Sequence, residues 1–187
     1  MPTHQIHNEV NQTYFVTFTC HKWLPLFETT NLYDYFDQWF EYLSKINSPL
    51  LGYVIMPNHF HGLIHVGEKC SKNLNQLVGN GKRFLAYEII SRLKQADELT
   101  LLQYLSSSVS QKEKDKKKKH QIFIPSFDGK LCINRAMLET KLDYIHHNPA
   151  RGKWSLIDDW IDYPYSSAGF YEKGIKNKFL RDYRDFY

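Results

Sequence analysis

The chain has 187 residues, 42% hydrophobic and 24% charged, with a formal net charge of +4. That is the size of one domain, since domains usually run to about 100–200 residues. No stretch reaches the roughly 18 apolar residues of a membrane helix, and the polar opening MPTHQIHNEVNQ lacks a signal-peptide core, so a cytoplasmic protein without a membrane partner is expected.

Cys20, Cys70 and Cys132 are scattered with no Cys-x-x-Cys, a pattern that excludes a disulfide framework and a zinc knuckle. The net charge is compatible with a polyanionic partner without establishing one.

Tyr14-Phe-Val-Thr-Phe-Thr-Cys20 alternates and is rich in β-branched and aromatic residues, so it reads as a strand. A helix is expected from Thr30 or Asn31, with Leu32, Phe36, Trp39, Leu43 and Ile46 at helical spacing. Leu50–Met56 and His59–Val66 then form a hairpin about a Pro57-Asn58 turn. A second long helix is expected over Asn73–Ala96, although Gly79 and Gly81 weaken its middle and favour a later start.

Ser106–His120 (SSSVSQKEKDKKKKH) reads as a mobile charged loop. Gln121–Ile124 reads as a short fourth strand, and Arg135–His147 as a third helix. The aromatic segment 150–187 is expected to wrap back over the domain. The order β-α-β-β-α-(β)-α implies an α+β fold, a ferredoxin-like antiparallel sheet with packed helices, as a single domain spanning 1–187.

Two segments carry chemistry. In Met56-Pro-Asn-His-Phe-His-Gly-Leu-Ile64, strand alternation projects His59 and His61 from one face. Such a pair is half of a metal site, because neutral imidazole suits divalent ions. Taken alone it reads better as a pair of polar surface residues near a turn, and His65, of the same parity, lies too far along the strand to join.

In Lys141-Leu-Asp-Tyr-Ile-His-His-Asn-Pro149, Tyr144 and Asn148 are four apart on one helical face with Lys141. Leu138, Leu142 and Ile145 form an adjacent apolar stripe able to dock on the sheet. Pro149 disfavours helical geometry at the preceding residue, which places Asn148 at the helix end. In isolation this helix reads better as a core tyrosine before an Asn-Pro stop.

Together the two segments resemble the single-tyrosine HUH transposase family, above all its REP-associated branch. Tyr14-Phe-Val-Thr-Phe-Thr19 with Pro25-Leu-Phe27, Gly81-Lys-Arg-Phe84 and Asp162-Tyr-Pro-Tyr-Ser-Ser-Ala168 extend the resemblance over nearly the whole chain in order. It departs in Asn148-Pro-Ala150, where the family reads Asn-Pro-Val, in Phe123 where tryptophan is usual, and in a local insertion around Lys114–Lys119.

The resemblance implies an HUH endonuclease fold in which His59, His61 and Asn148 hold Mg²⁺ or Mn²⁺. It implies that Tyr144 cleaves single-stranded, hairpin-bearing DNA through a 5′-phosphotyrosine, and it favours a monomer over a homodimer. A phenol with a pKa near 10 needs such activation to act at neutral pH, and the covalent link conserves bond energy for rejoining.

Lys82, Arg83 and Lys141 are candidate DNA contacts, with a solvated helix face the equal alternative for the first two. Lys116–Lys119 reads better as a solvated run. Tyr163, Tyr165 and Tyr171 are rival nucleophiles without a metal-capable residue at helical spacing. The alternatives are a non-cleaving binder of structured single-stranded DNA or RNA, a replication initiator or relaxase, and, last, a zinc hydrolase.

Overall fold

The computed structural model describes residues 8–152 and 154–187. β1 (Gln12–Thr19), β2 (Leu50–Ile55), β3 (His59–Val66) and β4 (Asp128–Leu131) form one sheet in the order β2-β3-β1-β4, every pairing antiparallel. The helices are α1 (Leu26–Thr29), α2 (Phe36–Lys45), α3 (Leu74–Gln95), α4 (Leu99–Ser107), α5 (Gln111–Lys114), α6 (Arg135–His147) and α7 (Ala168–Lys173). With α2 joining β1 to β2, and α3 lying between β3 and β4, this is the expected ferredoxin-like topology.

Alternation along the strands divides the core into two layers. Tyr14, Val16 and Phe18 of β1, with Phe60 and Ile64 of β3, bury against α2 and α3. Phe60 is the centre of that layer, its ring 5.1 Å from Phe18, 5.6 Å from Phe36 and 5.3 Å from Trp39. On the opposite face Phe15, Leu51, Val54 and Leu63 meet Leu138, Leu142 and Ile145 of α6, the apolar stripe read from the sequence.

A register shift between Leu50 and Gly52 explains how Leu50 and Tyr53 share one face. The extra residue of a bulge reverses the side-chain parity. A Cβ on Gly52 would collide with Leu142, so the bare glycine is where α6 settles onto β2.

α3 runs without a break through Gly79 and Gly81, contrary to the later start expected. Asn73 and Gln76 close a capping box, with N–H···O distances of 3.0 and 3.1 Å. A Cβ on Gly81 would strike the Trp39 indole. The glycine costs about 1 kcal/mol of helix propensity against alanine and seats a buried tryptophan.

Three further expectations are corrected. Asn31 adopts a left-handed conformation (φ 45°) before a 3₁₀ turn over Leu32–Tyr35, so the regular helix starts at Phe36 rather than near Thr30. Gln121–Ile124 contributes only an isolated bridge from Phe123 to Cys20, and the fourth strand is Asp128–Leu131. The segment meets only the end of β1, where the His21 N–H donates to Ile122 and the Ile124 N–H to Thr19 at 2.7 and 2.9 Å, while the Gln121 N–H turns away to the Leu105 carbonyl at 2.8 Å. Within Ser106–His120, where only loop was expected, the structure places the end of α4 and then α5, with Lys118 paired to Glu113 at 2.7 Å. α4 had no counterpart in the sequence reading, yet buries Leu102 and Leu105.

The segment after α6 seals the outer edge of β2. The Ile55 N–H donates to Tyr165 and the Ser167 N–H to Tyr53, both at 2.9 Å. The hydroxyls of Tyr163 and Tyr171 donate to the Ile55 and Leu51 carbonyls at 3.0 and 2.6 Å. Unpaired edge groups invite pairing with other chains, and here they are covered.

The buried Ser167 Oγ accepts the Tyr53 N–H at 2.9 Å and lies 2.8 Å from His146 Nε2. Ser167→Ala strands both partners in the interior and is expected to cost about 1–3 kcal/mol, measured by urea unfolding. A loss below a few tenths of a kcal/mol would refute this role for the hydroxyl.

Candidate functional site

The β1–β3 register pairs Thr19 with His59 and Thr17 with His61, so both imidazoles emerge on the α6 face at the end of the sheet. Their rings are 4.8 Å apart, nearly perpendicular. His61 Nδ1 lies 2.6 Å from Thr17 Oγ1, and His59 Nδ1 lies 2.6 Å from Asn58 Oδ1. Asn58 Nδ2 donates to the Trp23 carbonyl at 2.8 Å. A carbonyl can only accept, so the Asn58 oxygen faces His59 and Nδ1 of His59 carries the hydrogen. In the neutral ring the lone pair then resides on Nε2.

Phe15 is the junction of this face. It stacks on His61 at 5.6 Å, meets Tyr144 edge-on at 5.9 Å, and lies 4.9 Å below the Lys141 ammonium. Burial first, then the charges of His59 and Lys141, push His61 down to about 3.

α6 brings the second pair. Tyr144 stands 5.2 Å from the His61 ring and is 44% exposed. Asn148 keeps helical angles (φ −54°, ψ −42°) although Pro149 follows, because the chain continues as a 3₁₀ turn over Asn148–Ala150. α6 ends at His147 with Asn148 as its C-terminal cap, the helix end that the proline suggested, and Tyr144 and Asn148 remain on one face. His59, His61, Tyr144 and Asn148 line a single cleft of about 490 Å³.

Thr17, Thr19, Trp23, Arg151 and Trp154 line the same cleft and were not singled out from the sequence. The threonines were legible from strand parity once β1 pairs with β3. The tryptophans, 5.8 and 6.1 Å from His59, lie in turns that periodicity does not read. Trp23 is 54% exposed, and both it and Lys22 have positive φ (59° and 53°). Strained non-glycine backbone of this kind persists where the surroundings impose it, often at functional sites.

The donors fit a divalent ion. A ligating imidazole almost always has its second nitrogen held by an oxygen acceptor, and both histidines have an oxygen at Nδ1. Among the described residues no group of three or more His, Cys, Asp or Glu gathers, so a third protein ligand here has to be neutral, as the Asn148 amide is.

The other sequence candidates lie apart. His65 is at the far end of β3, 3.2 Å from Thr13 Oγ1, with its ring tilted against Phe186 at 4.4 Å. Lys141 sits over Phe15 beside the cleft. Lys82 is turned inward, its ammonium donating to the carbonyls of Ile124, Pro125 and Ser126 at 2.7, 3.2 and 3.0 Å, so the phosphate contact expected of it is corrected to a loop anchor. Burial lowers its pKa to about 8. Arg83 lies over the Phe84 ring at 5.4 Å on the exposed side of α3. Tyr163 and Tyr171 are half or more buried with their phenols bonded to backbone, and burial raises both.

The fold is a ferredoxin-like domain with a histidine pair on a central strand and a tyrosine on the helix crossing it. It matches a solved structure described as the REP-associated tyrosine transposase bound to a REP hairpin, with a TM-score of 0.62 and 15% identity, over 95% of this chain and 89% of that one. At that identity the likeness establishes the shared fold. No family model and no curated protein matches the sequence.

Asn58→Ala removes the tie between the Trp23 turn and His59. It is expected to cost about 1–3 kcal/mol in urea unfolding and to release His59 into a mixture of tautomers, read by nitrogen-15 NMR of the ring. A ring that keeps its hydrogen on Nδ1 in the variant would show that Asn58 does not set it.

Proposed function

We propose that the chain is a metal-dependent tyrosine transposase that nicks and rejoins single-stranded, hairpin-bearing DNA. The observation that carries this reading is the convergence of His59 and His61 from β3 with Tyr144 and Asn148 from α6 on one cleft. The likeness of the whole fold to a hairpin-bound transposase supports it, as does the order of motifs along the chain.

His59, His61 and Asn148 would hold Mg²⁺ or Mn²⁺. When bound, the ion supplies charge to polarise a phosphodiester and stabilise its developing negative charge. The chain's own residues do the rest. Tyr144 Oη attacks phosphorus, the bond to the 3′ oxygen breaks, and the phenol proton ends on that oxygen as a free 3′-hydroxyl. One phosphodiester is exchanged for another, so the step reverses without an energy source.

Among the described residues the cleft lining contains Arg151 and no carboxylate, which suits a polyanionic substrate. Trp23 and Trp154 flank His59 and offer flat faces for bases beside the scissile phosphate, a contact that tolerates any base. Burial keeps His61 neutral at physiological pH, which leaves its nitrogen available for ligation.

The test is covalent capture. End-labelled single-stranded hairpins from repeats flanking the gene are incubated with protein and Mn²⁺, then separated on a denaturing gel. A metal-dependent protein–DNA adduct is expected, lost in Tyr144→Phe and His59→Ala, with hairpin binding retained in Tyr144→Phe. An adduct surviving in Tyr144→Phe would place the nucleophile elsewhere. Tight binding without any adduct would make the chain a non-cleaving binder.

A further inference from the structure

A second cavity of about 620 Å³ opens between α3 and the lysine-rich segment. Arg83, Tyr87, Ile90 and Lys94 fall on one face of α3 at spacings of four, three and four residues, and Lys117 and Lys119 form the opposite wall. Among the described residues no aspartate or glutamate lines it. Lys118 is neutralised by Glu113, while Arg83, Lys94, Lys117 and Lys119 have no ion pair among the described residues. Tyr87 is 65% exposed.

The charge is local. Gln111–His120 holds six lysines against Glu113 and Asp115, an excess of four, equal to the formal charge of +4 for the whole chain. Burial first, and then the charges of Lys94 and Lys119, lower His120 between the two walls. Repulsion of this kind persists in a folded segment only because structure holds it. Here α5, the Lys118–Glu113 pair and the Lys82 anchor hold it.

The groove also adjoins the cleft. His21 donates its N–H to Ile122, which lines the groove, at 2.7 Å, and its ring lies 6.3 Å from Tyr104. Trp23 lines the cleft and is two residues on, a span of at most about 7 Å of backbone.

We propose that this groove binds the phosphate backbone of the folded, duplex part of the nucleic acid whose single-stranded part enters the cleft. The inference rests on the reading of the cleft as a DNA site. Point charges on both walls with only one exposed ring match a backbone rather than unstacked bases. The lysine-rich segment is thus a recognition wall and not a solvated loop.

The test measures hairpin binding by fluorescence anisotropy across a salt series, for the wild type and a variant carrying Arg83→Ser, Lys94→Ser, Lys117→Ser and Lys119→Ser. A thermal melt checks that the fold is retained, as expected for exposed side chains. The variant should bind a hairpin with a single-stranded extension at least about tenfold more weakly. Its log–log salt slope should become shallower by about 0.9 for each phosphate that is no longer neutralised, about 3 to 4 in all. Binding of the isolated single-stranded extension should change less than twofold.

Unchanged hairpin affinity and slope in a folded variant would overturn the groove while leaving the cleft's function standing. Equal losses for hairpin and extension would also overturn it, because the duplex would then have no part in the binding. A wild type that binds neither DNA would remove the reading of the cleft, and the groove with it. Displacement of the hairpin by polyglutamate at matched charge would reassign the groove to acidic partners in general.

Discussion

The antiparallel pairing of β1 with β3 is the constraint on which the site depends. It sets Thr19 against His59 and Thr17 against His61, and a slip of one residue would turn both imidazoles toward the face where Phe60 packs. That register is strongly specified because the faces differ so much. One carries Phe60 wedged among Phe18, Phe36 and Trp39, and the other carries Phe15, on which His61, Tyr144 and Lys141 all rest. Packing that stabilises the fold thereby orients the polar residues at the strand's end.

The second dependence runs through the outer strand. Among the described residues the C-terminal segment covers the free side of β2, and Ser167 ties its Tyr53 to His146 of α6. The same wrap therefore closes the sheet edge and holds the helix bearing Tyr144 and Asn148. The Tyr-x-x-Ser-Ser motif that looked like a family signature is physically a clasp. Its Tyr163 donates its phenol to the Ile55 carbonyl and its Tyr165 stacks on Tyr33, while Tyr144 is the tyrosine that lines the cleft beside the histidines.

Much of this was legible in the sequence. Period-two alternation put His59 and His61 on one face, and the stripes of α6 separated Leu138, Leu142 and Ile145 from Tyr144 and Asn148. Other parts were not legible, for identifiable reasons. Gly81 reads as a helix breaker until Trp39 is seen against it. Lys82 reads as a surface cation, but three carbonyls of the 124–126 turn draw it inward. The fourth strand falls at Asp128–Leu131, which pairs with Tyr14–Thr17, while Gln121–Ile124 meets only the end of β1 and Gln121 bonds to α4, a helix hidden beside a charged run that composition assigned to solvent. Phe15 and Asn58, which position the histidines, look like ordinary strand and turn residues until the tertiary contacts exist.

The central claim is that β3 and α6 together make one divalent-ion site. Paramagnetic NMR tests it most directly. Histidine-ring resonances of the full chain are followed while Mn²⁺ is added in substoichiometric steps. The account predicts that His59 and His61 broaden first, that Asn148 side-chain signals follow, and that His65 and His120 stay sharp. Uniform broadening of all histidines, or none at His59 and His61, would contradict it.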